Sequence, residues 1–222
     1  MTKLTKVVTN DGSITFHNSD VDEHYHTTTG ALEEALEKHV NPSQVIKFGK
    51  ASSEVVIADV CFGLGYNSIV ALTKIWEENP QCHVTLFVFE NDKDILAQIH
   101  NLEFPKEYRM TMLKILQLLD SGTYEDATLS ATLFLGDFRE EMQRIVEGEV
   151  DAVFFDPFSP KKMPELWTLD VFKLVYSKMI QGGSLTTYSC ARVVRENMKQ
   201  AGFIVTDGPS VGRKSPSTIA IK

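Results

Sequence analysis

Residues 55–67, VVIADVCFGLGYN, decide the fold. Val55–Val60 is an apolar run broken only by Asp59, as a buried strand would be. Cys61-Phe62-Gly63-Leu64-Gly65 stops it, and Asn67–Glu78 then follows a helical pattern. Gly63 and Gly65 let the backbone pass close beneath a ligand, where a Cβ would clash. The loop is not a full GxGxxG, because Cys61 holds the first position and no glycine follows three after Gly65. Nor is it a Walker A loop, since no Lys-Ser/Thr follows. Taken alone, it reads either as a nucleotide loop or as a tight strand–helix turn.

Working outward, the same alternation repeats. Strands are expected at Val84–Phe89, Thr132–Leu135, Ala152–Phe155 and Leu185–Tyr188. Helices are expected at Asp92–Asn101, Phe138–Val146, Leu169–Met179 and Ala191–Gln200, with an additional one at Glu107–Leu119. Such alternation builds parallel βαβ units with helices on both faces of a sheet. Phe203–Thr206 and Thr218–Ile221 leave no room for a crossover helix, so they form an antiparallel hairpin. Before the rhythm, VVTNDGSITFHN reads as a hairpin about Asp11-Gly12, and Gly30–Val40 as a helix that Thr27–Thr29 are placed to cap. The expected architecture is α/β and Rossmann-like: a single domain over residues 1–222, with an N-terminal hairpin and helix (1–50) ahead of a core (51–222). Its sheet is mostly parallel, with an antiparallel strand at the C-terminal end.

Ligands of such sheets bind beyond the carboxyl ends of the strands. Glu90 ends the second strand, placed to accept two ribose hydroxyls, while Asp92 reads better as the cap of the next helix. Asp137-Phe138 ends the third; Asp137 is either an adenine acceptor or a helix cap, with Phe138 packed on the ring. Asp156 ends the fourth, in VFFDPFSPKKMPELW (153–167). A glycine loop and three acids at successive strand ends form the pattern of the class I S-adenosylmethionine methyltransferases.

Bulk properties narrow the field. The 222 residues contain no apolar run of the roughly eighteen a membrane helix needs, and MTKLTKVVTNDGS lacks the apolar stretch of a leader. Cys61, Cys82 and Cys190 make neither a disulfide framework nor a CxxC metal site, which fits a reducing, cytoplasmic setting. His24-Tyr25-His26 lacks the partners of a metal site, so no metal is expected. The net charge is −8, yet residues 190–222 hold six bases against two acids, or +4, leaving −12 on the rest. That basic end is either solvated surface or a local phosphate-binding face.

Asp156-Pro-Phe-Ser-Pro-Lys-Lys-Met-Pro-Glu-Leu-Trp-Thr168 resembles the D-x-F-[AS]-P-x-K-x-P-[ED]-[LM]-W-[ST] block of the MnmC-type tRNA wobble-uridine methyltransferases. Asp11-Gly-Ser through Tyr25-His26 and Gly30-Ala31-Leu32, Phe62-Gly-Leu-Gly-Tyr-Asn67, and Ser189–Arg195 with Gly202-Phe203 and Gly212-Arg213-Lys214 resemble three further segments of that family. The departures are Cys61 for a common glycine and Met163 for a common asparagine.

The resemblance implies S-adenosyl-L-methionine as cofactor, held by Asp59, Phe62, Gly63, Gly65, Asn67, Glu90, Asp137 and Phe138, with Tyr25 and His26 in a loop closing over the site. It implies a tRNA anticodon loop as partner and N-methylation of 5-aminomethyl(-2-thio)uridine as reaction. Bifunctional relatives carry an oxidase domain, for which 222 residues leave no room, so a stand-alone methyltransferase is expected. Asp156 is the catalytic candidate: it can accept a hydrogen bond from the amine, orient its lone pair and stabilise the forming ammonium. Phe158 can offer its ring face to a cation. Lys161, Lys162, Arg192, Arg195, Arg213 and Lys214 are candidate phosphate contacts. Trp167 is either a core side chain or a platform for a flipped base. Two other readings keep less of the pattern: a methyltransferase acting on another amine, small or protein-borne, and a non-catalytic cofactor- or RNA-binding protein.

Overall fold

The structure is a computed structural model describing residues 4–222; Met1–Lys3, part of the stretch read for a leader, lie outside the described residues. Strands β1 (Leu4–Val8) and β2 (Ile14–Asn18) pair antiparallel about the Asp11-Gly12 turn, and β3 (Glu23–His24) adds to β2. Helix α1 (Ala31–Glu34) runs on through a π-helical stretch, Ala35–Val40, into α2 (Asn41–Ser43). Helix α3 (Val45–Ala51) follows Gln44, which takes φ +62°. Thr27–Thr29 do not cap α1. The hairpin turn does: Ser13 Oγ accepts from the Ala31 N–H at 2.9 Å and Asp11 Oδ2 from the Glu33 N–H at 3.2 Å. Gly30 makes room for this, since a Cβ there would lie 2.2 Å from the Asp11 carboxylate.

The core then alternates: β4 (Glu54–Val60), α4 (Tyr66–Glu78), β5 (His83–Glu90), α5 (Lys93–Ile99), α6 (Arg109–Ser121), β6 (Thr123–Glu125) and β7 (Leu129–Leu135). It continues with α7 (Phe138–Glu141), β8 (Val150–Phe155), α8 (Leu169–Lys178), β9 (Met179–Thr187), α9 (Arg192–Ala201), β10 (Ile204–Asp207) and β11 (Thr218–Ile221). The strands form one sheet in the order β10-β11-β9-β8-β4-β5-β7-β6. From β9 across to β7 all pairs are parallel. β11 runs antiparallel between β9 and β10, as its short connection requires. The three-residue β6 is a second antiparallel strand, at the other edge. α7 ends five residues short of the expected Val146, passing into a 3-10 turn at Met142–Arg144.

Side chains of the central strands alternate between two cores. Val55 and Ile57 of β4 and Phe154 of β8 face one; Ala58 and Val60 of β4 and Phe155 of β8 face the other. Burying an aromatic or aliphatic side chain of this kind contributes about 1.5–3 kcal/mol, so covering both faces is what makes these strands read as near-continuous apolar runs. Chain order reverses at β4, with β5 on one side and β8 on the other. The crevice of a doubly wound sheet opens there, beyond the carboxyl ends of those strands.

Candidate active site

A cavity of about 710 Å³ lies over those strand ends. The glycine loop forms one wall. Gly63 takes φ +57°, and a Cβ on it would stand 3.2 Å from the Tyr25 ring. Its N–H donates to Glu90 Oε2 at 2.8 Å, while Glu90 Oε1 accepts from the N–H groups of Asn91 and Asp92 at 2.8 and 2.9 Å. Burial raises the Glu90 carboxyl, and these three backbone donors work against it. Glu90 is thus fixed in orientation with its carboxylate on the cavity. Cys61, also on the wall, adopts φ +63°, a conformation that favours the glycine it replaces.

Asp156 stands at the carboxyl end of β8, with its side chain only 14% exposed. Its Oδ2 accepts from Asn67 Nδ2 at 3.2 Å and lies 3.6 Å from His39 Nε2, too far for a hydrogen bond. Burial alone would raise this carboxyl; His39, His26 and the Asn67 amide together outweigh it and hold Asp156 below the usual carboxylate range. Pro157 follows, and its carbonyl accepts from Tyr188 Oη at 3.1 Å. Glu23 of β3 holds the next turn: its carboxylate accepts from the Ser159 N–H at 2.9 Å and from the Ser159 hydroxyl. Tyr25 donates to Asp92 Oδ2 at 2.9 Å and meets the Phe158 ring edge-on at 4.9 Å. The N-terminal extension therefore closes over the cavity and ties together the ends of β5 and β8.

Several sequence assignments change on this geometry. Asp59 is fully buried beneath the loop, receives a hydrogen bond from Ser68 Oγ at 2.6 Å, and does not face the cavity. Gly65 is needed for packing, since its Cβ would fall 2.5 Å from the Phe62 ring. Asn67 serves Asp156 and does not line the cavity. Phe62 and Phe138 both line it, and both are buried in the two cores. Asp137 does cap its helix, accepting from the Arg139 N–H at 2.9 Å, and the Arg139 guanidinium holds it below the usual carboxylate range. It still borders the cavity, as does Arg139. His26 is buried and lines the cavity, its Nδ1 3.3 Å from Thr15 Oγ1.

On the substrate side, Trp167 is core: it is 2% exposed, its Nε1–H donates to the Phe158 carbonyl at 2.9 Å, and Phe155 and Tyr188 pack on it. No face remains for a base. Arg195 is structural too, bonded to Thr218 Oγ1 at 2.9 Å, the Ser217 carbonyl at 3.0 Å and the Asp207 carboxylate. Lys161, Arg192 and Lys214 are exposed. Lys162 lies 3.5 Å from Asp22, and Arg213 donates to the carbonyls of Tyr188 and Pro216 beside the cavity mouth. Inside, the balance is acidic: Glu23, Glu34, Glu90, Asp92, Asp137, Asp156 and Glu165 line the cavity against Arg139. Such walls favour cationic guests.

Sequence reasoning missed His39, Glu34, Glu23 and Tyr188 as members of the site. The place of the first three depends on how the extension folds back, for which the chain has no local pattern; Tyr188 follows β9 and reaches the site by donating to the Pro157 carbonyl. Among the described residues, no group of His, Cys, Asp and Glu is arranged to hold a metal ion, and no helix is long and apolar enough to cross a membrane.

Comparison with known proteins agrees with this architecture. Residues 100–222 match the model of a family described as S-adenosyl-L-methionine-dependent methyltransferase. An uncharacterized protein of Methanocaldococcus jannaschii is 31% identical over 97% of this chain, and the chain spans 59% of it. The bifunctional tRNA 5-methylaminomethyl-2-thiouridine biosynthesis protein MnmC of Cupriavidus necator is 28% identical over 90% of this chain, which spans 32% of that protein. The crystal structure of MnmC2 from Aquifex aeolicus superposes with a TM-score of 0.90 at 36% identity, covering 100% of this chain and 71% of that one. The site fits the family's cofactor: its volume suits a nucleoside with a tail, Glu90 presents a fixed carboxylate, Gly63 leaves the wall open where a side chain would intrude, and the acidic lining suits a sulfonium. A doubly wound sheet, a glycine loop facing a buried strand-end acid, and a match over its C-terminal half and beyond place this chain in the S-adenosyl-L-methionine-dependent methyltransferase family, in its MnmC-type branch.

Proposed function

We propose that this chain transfers a methyl group to the primary amine of 5-aminomethyluridine, or its 2-thio form, at the wobble position of tRNA. The observation that carries the reading is Asp156: a cavity-facing carboxylate beside the glycine loop, held ionised and aimed by Asn67. Names and geometry support it jointly, since MnmC proteins are named for this biosynthesis and the Asp156–Trp167 segment forms the cavity rim.

S-adenosyl-L-methionine, when bound, supplies an electrophilic methyl on a sulfonium. Glu90 would hold its ribose hydroxyls and Gly63 would leave room for its tail. An alkylamine is protonated near neutral pH and has no free lone pair. Asp156 accepts a hydrogen bond from it, orients it toward the methyl and offsets the positive charge on nitrogen throughout. Positioning amine and methyl in line supplies much of the acceleration. Phe158 and Tyr25 close the cavity from water. The exposed Lys161, Arg192, Arg213 and Lys214 take backbone phosphates of the anticodon loop, while the acidic interior takes the amine.

The test is methyl transfer from labelled S-adenosyl-L-methionine to tRNA from cells lacking wobble methylation, followed by digestion and nucleoside identification. Label in 5-methylaminomethyluridine is the expected result. The acidic lining favours one rival, a free cationic amine as acceptor; label on a small polyamine and none on tRNA would establish that instead.

A further inference from the structure

His39 is fully buried, in the π-helical stretch Ala35–Val40, a departure from regular helix that recurs at functional sites. Its ring packs edge-on against Phe154 at 6.1 Å. Nδ1 lies 3.3 Å from Thr186 Oγ1 on β9. Nε2 has no hydrogen-bond partner and points at Asp156 Oδ2, 3.6 Å away. A buried polar atom without a partner is costly, and the site keeps one directly behind its catalytic carboxylate. If Nδ1–H donates to Thr186, Nε2 carries the lone pair, and the 3.6 Å gap separates two proton acceptors. One proton closes that gap into an N–H···O bond.

The methyl-transfer reading leaves one proton without a destination. The substrate enters as an ammonium and the product leaves as an ammonium, so each turnover sheds one proton. Asp156, which accepts from Asn67, must return to its carboxylate form before the next turnover and so cannot keep it. We propose that His39 is the positioning residue behind Asp156: it fixes the carboxylate and takes, at Nε2, the proton that the substrate amine gives up. The inference rests on the methyl-transfer reading above. The substrate N–H bond breaks toward Asp156, which relays the proton to Nε2 and returns to carboxylate. The freed lone pair on nitrogen then forms the N–CH₃ bond as the C–S bond leaves its electron pair on sulfur. After product release the imidazolium returns the proton to Asp156, which faces the cavity, and from there it passes to water.

The groups around His39 suit this role. Asp156 comes from β8, Asp59 from β4, His26 from the loop after β3, and Glu34 and Lys38 from its own helical segment. Lys38 is paired with Glu34 one turn earlier, and burial lowers the His26 pKa, which limits the positive charge beside the imidazolium.

The experiment is the pH profile of methyl transfer by wild type and His39→Gln on 5-aminomethyluridine tRNA. The expected result is a His39→Gln kcat lower by about a hundredfold at pH 7, with KM for tRNA and cofactor affinity unchanged. The deficit shrinks as pH rises toward the amine's own pKa, where the substrate sheds its proton unaided. A purely packing role predicts a deficit independent of pH, and a His39→Gln profile parallel to wild type overturns the inference. Thr186→Val removes the Nδ1 partner without touching Asp156. It is expected to shift the profile in the same direction by less, and an unchanged Thr186→Val profile counts against the inference even where His39→Gln folds poorly. A wild-type protein that leaves 5-aminomethyluridine unlabelled sinks the functional reading itself, an outcome distinct from a labelled product with parallel profiles.

Discussion

Asp59→Asn tests whether the acid beneath the glycine loop is a structural burden or a cofactor residue. Asp59 is completely buried; Ser68 donates to one carboxylate oxygen, and the other, Oδ1, has no partner. Burial pushes its carboxyl up to about 7, against the Ser68 hydrogen bond and the pull of His39. The unfolded chain ionises this carboxyl near 3.8, so between that pH and about 7 the folded state holds a proton the unfolded state has lost. Stability therefore falls as pH rises through this window. At 1.36 kcal/mol per unit, the full cost above pH 7 is about 4 kcal/mol, an upper bound if water reaches the group. Asparagine keeps the shape and the acceptor for Ser68 and does not ionise. The stability difference between Asp59→Asn and wild type should thus already be about 1 kcal/mol at pH 4.5 and grow to about 4 kcal/mol in favour of the variant at pH 8. Urea unfolding at pH 4.5, 6 and 8 measures it, and taking the difference removes other titrating groups. Parallel stability curves for the two proteins would refute the reasoning. A large loss of cofactor binding in Asp59→Asn would refute the placement of Asp59 outside the cavity.

Four further changes probe the site. Asp156→Ala should lower kcat by about 10²–10⁴-fold with cofactor binding retained, read by single-turnover transfer and calorimetry; wild-type turnover would remove Asp156 from the chemistry. Gly63→Ala adds a Cβ 3.2 Å from Tyr25 in a left-handed backbone that costs about 1–2 kcal/mol, so cofactor affinity should fall about tenfold or more. Glu23→Gln leaves the Ser159 N–H and hydroxyl competing for one amide oxygen, and should loosen the turn after Asp156, lowering kcat with little change in thermal midpoint. Arg213→Ala with Lys214→Ala should raise KM for tRNA and lower the salt slope of binding by about 0.7 per lost phosphate contact, with cofactor affinity unchanged.

The parallel core was legible because burial on both faces writes strands as apolar runs, and because an acid ending such a run has no packing reason to be there. Glu90 and Asp156 stood out on that ground. Asp59 interrupted a run one residue before its end, but the strand's alternation turns it toward Ser68 and α4, which no single-strand reading reveals. Asn67 lay in the glycine motif and was assigned with it; one helical turn aims its amide at Asp156 instead. Trp167 was ambiguous because the same residue type serves stacking and packing, and only the bond to the Phe158 carbonyl decides. β6 has three residues, too few for a period to show. His39 was out of reach, because its helix reads as an ordinary amphipathic element and its meaning comes from a carboxylate far along the chain.

That last point bears on how the site works. Glu23, Tyr25, His26, Glu34 and His39 all precede the first parallel strand, and each touches or faces a strand-end group of the core. The parallel sheet alone supplies a glycine loop, the fixed carboxylate of Glu90 and Asp156 at successive strand ends. What it does not supply is a partner for Asp156 on the side away from the substrate, a cover over the cavity, or a clamp on the Asp-Pro-Phe-Ser turn. The extension provides all three through one hairpin and one helix, and the hairpin turn caps that helix. Docking of the extension and orientation of Asp156 are therefore one event, and a change that loosens the hairpin turn acts on catalysis without touching a group that meets the substrate.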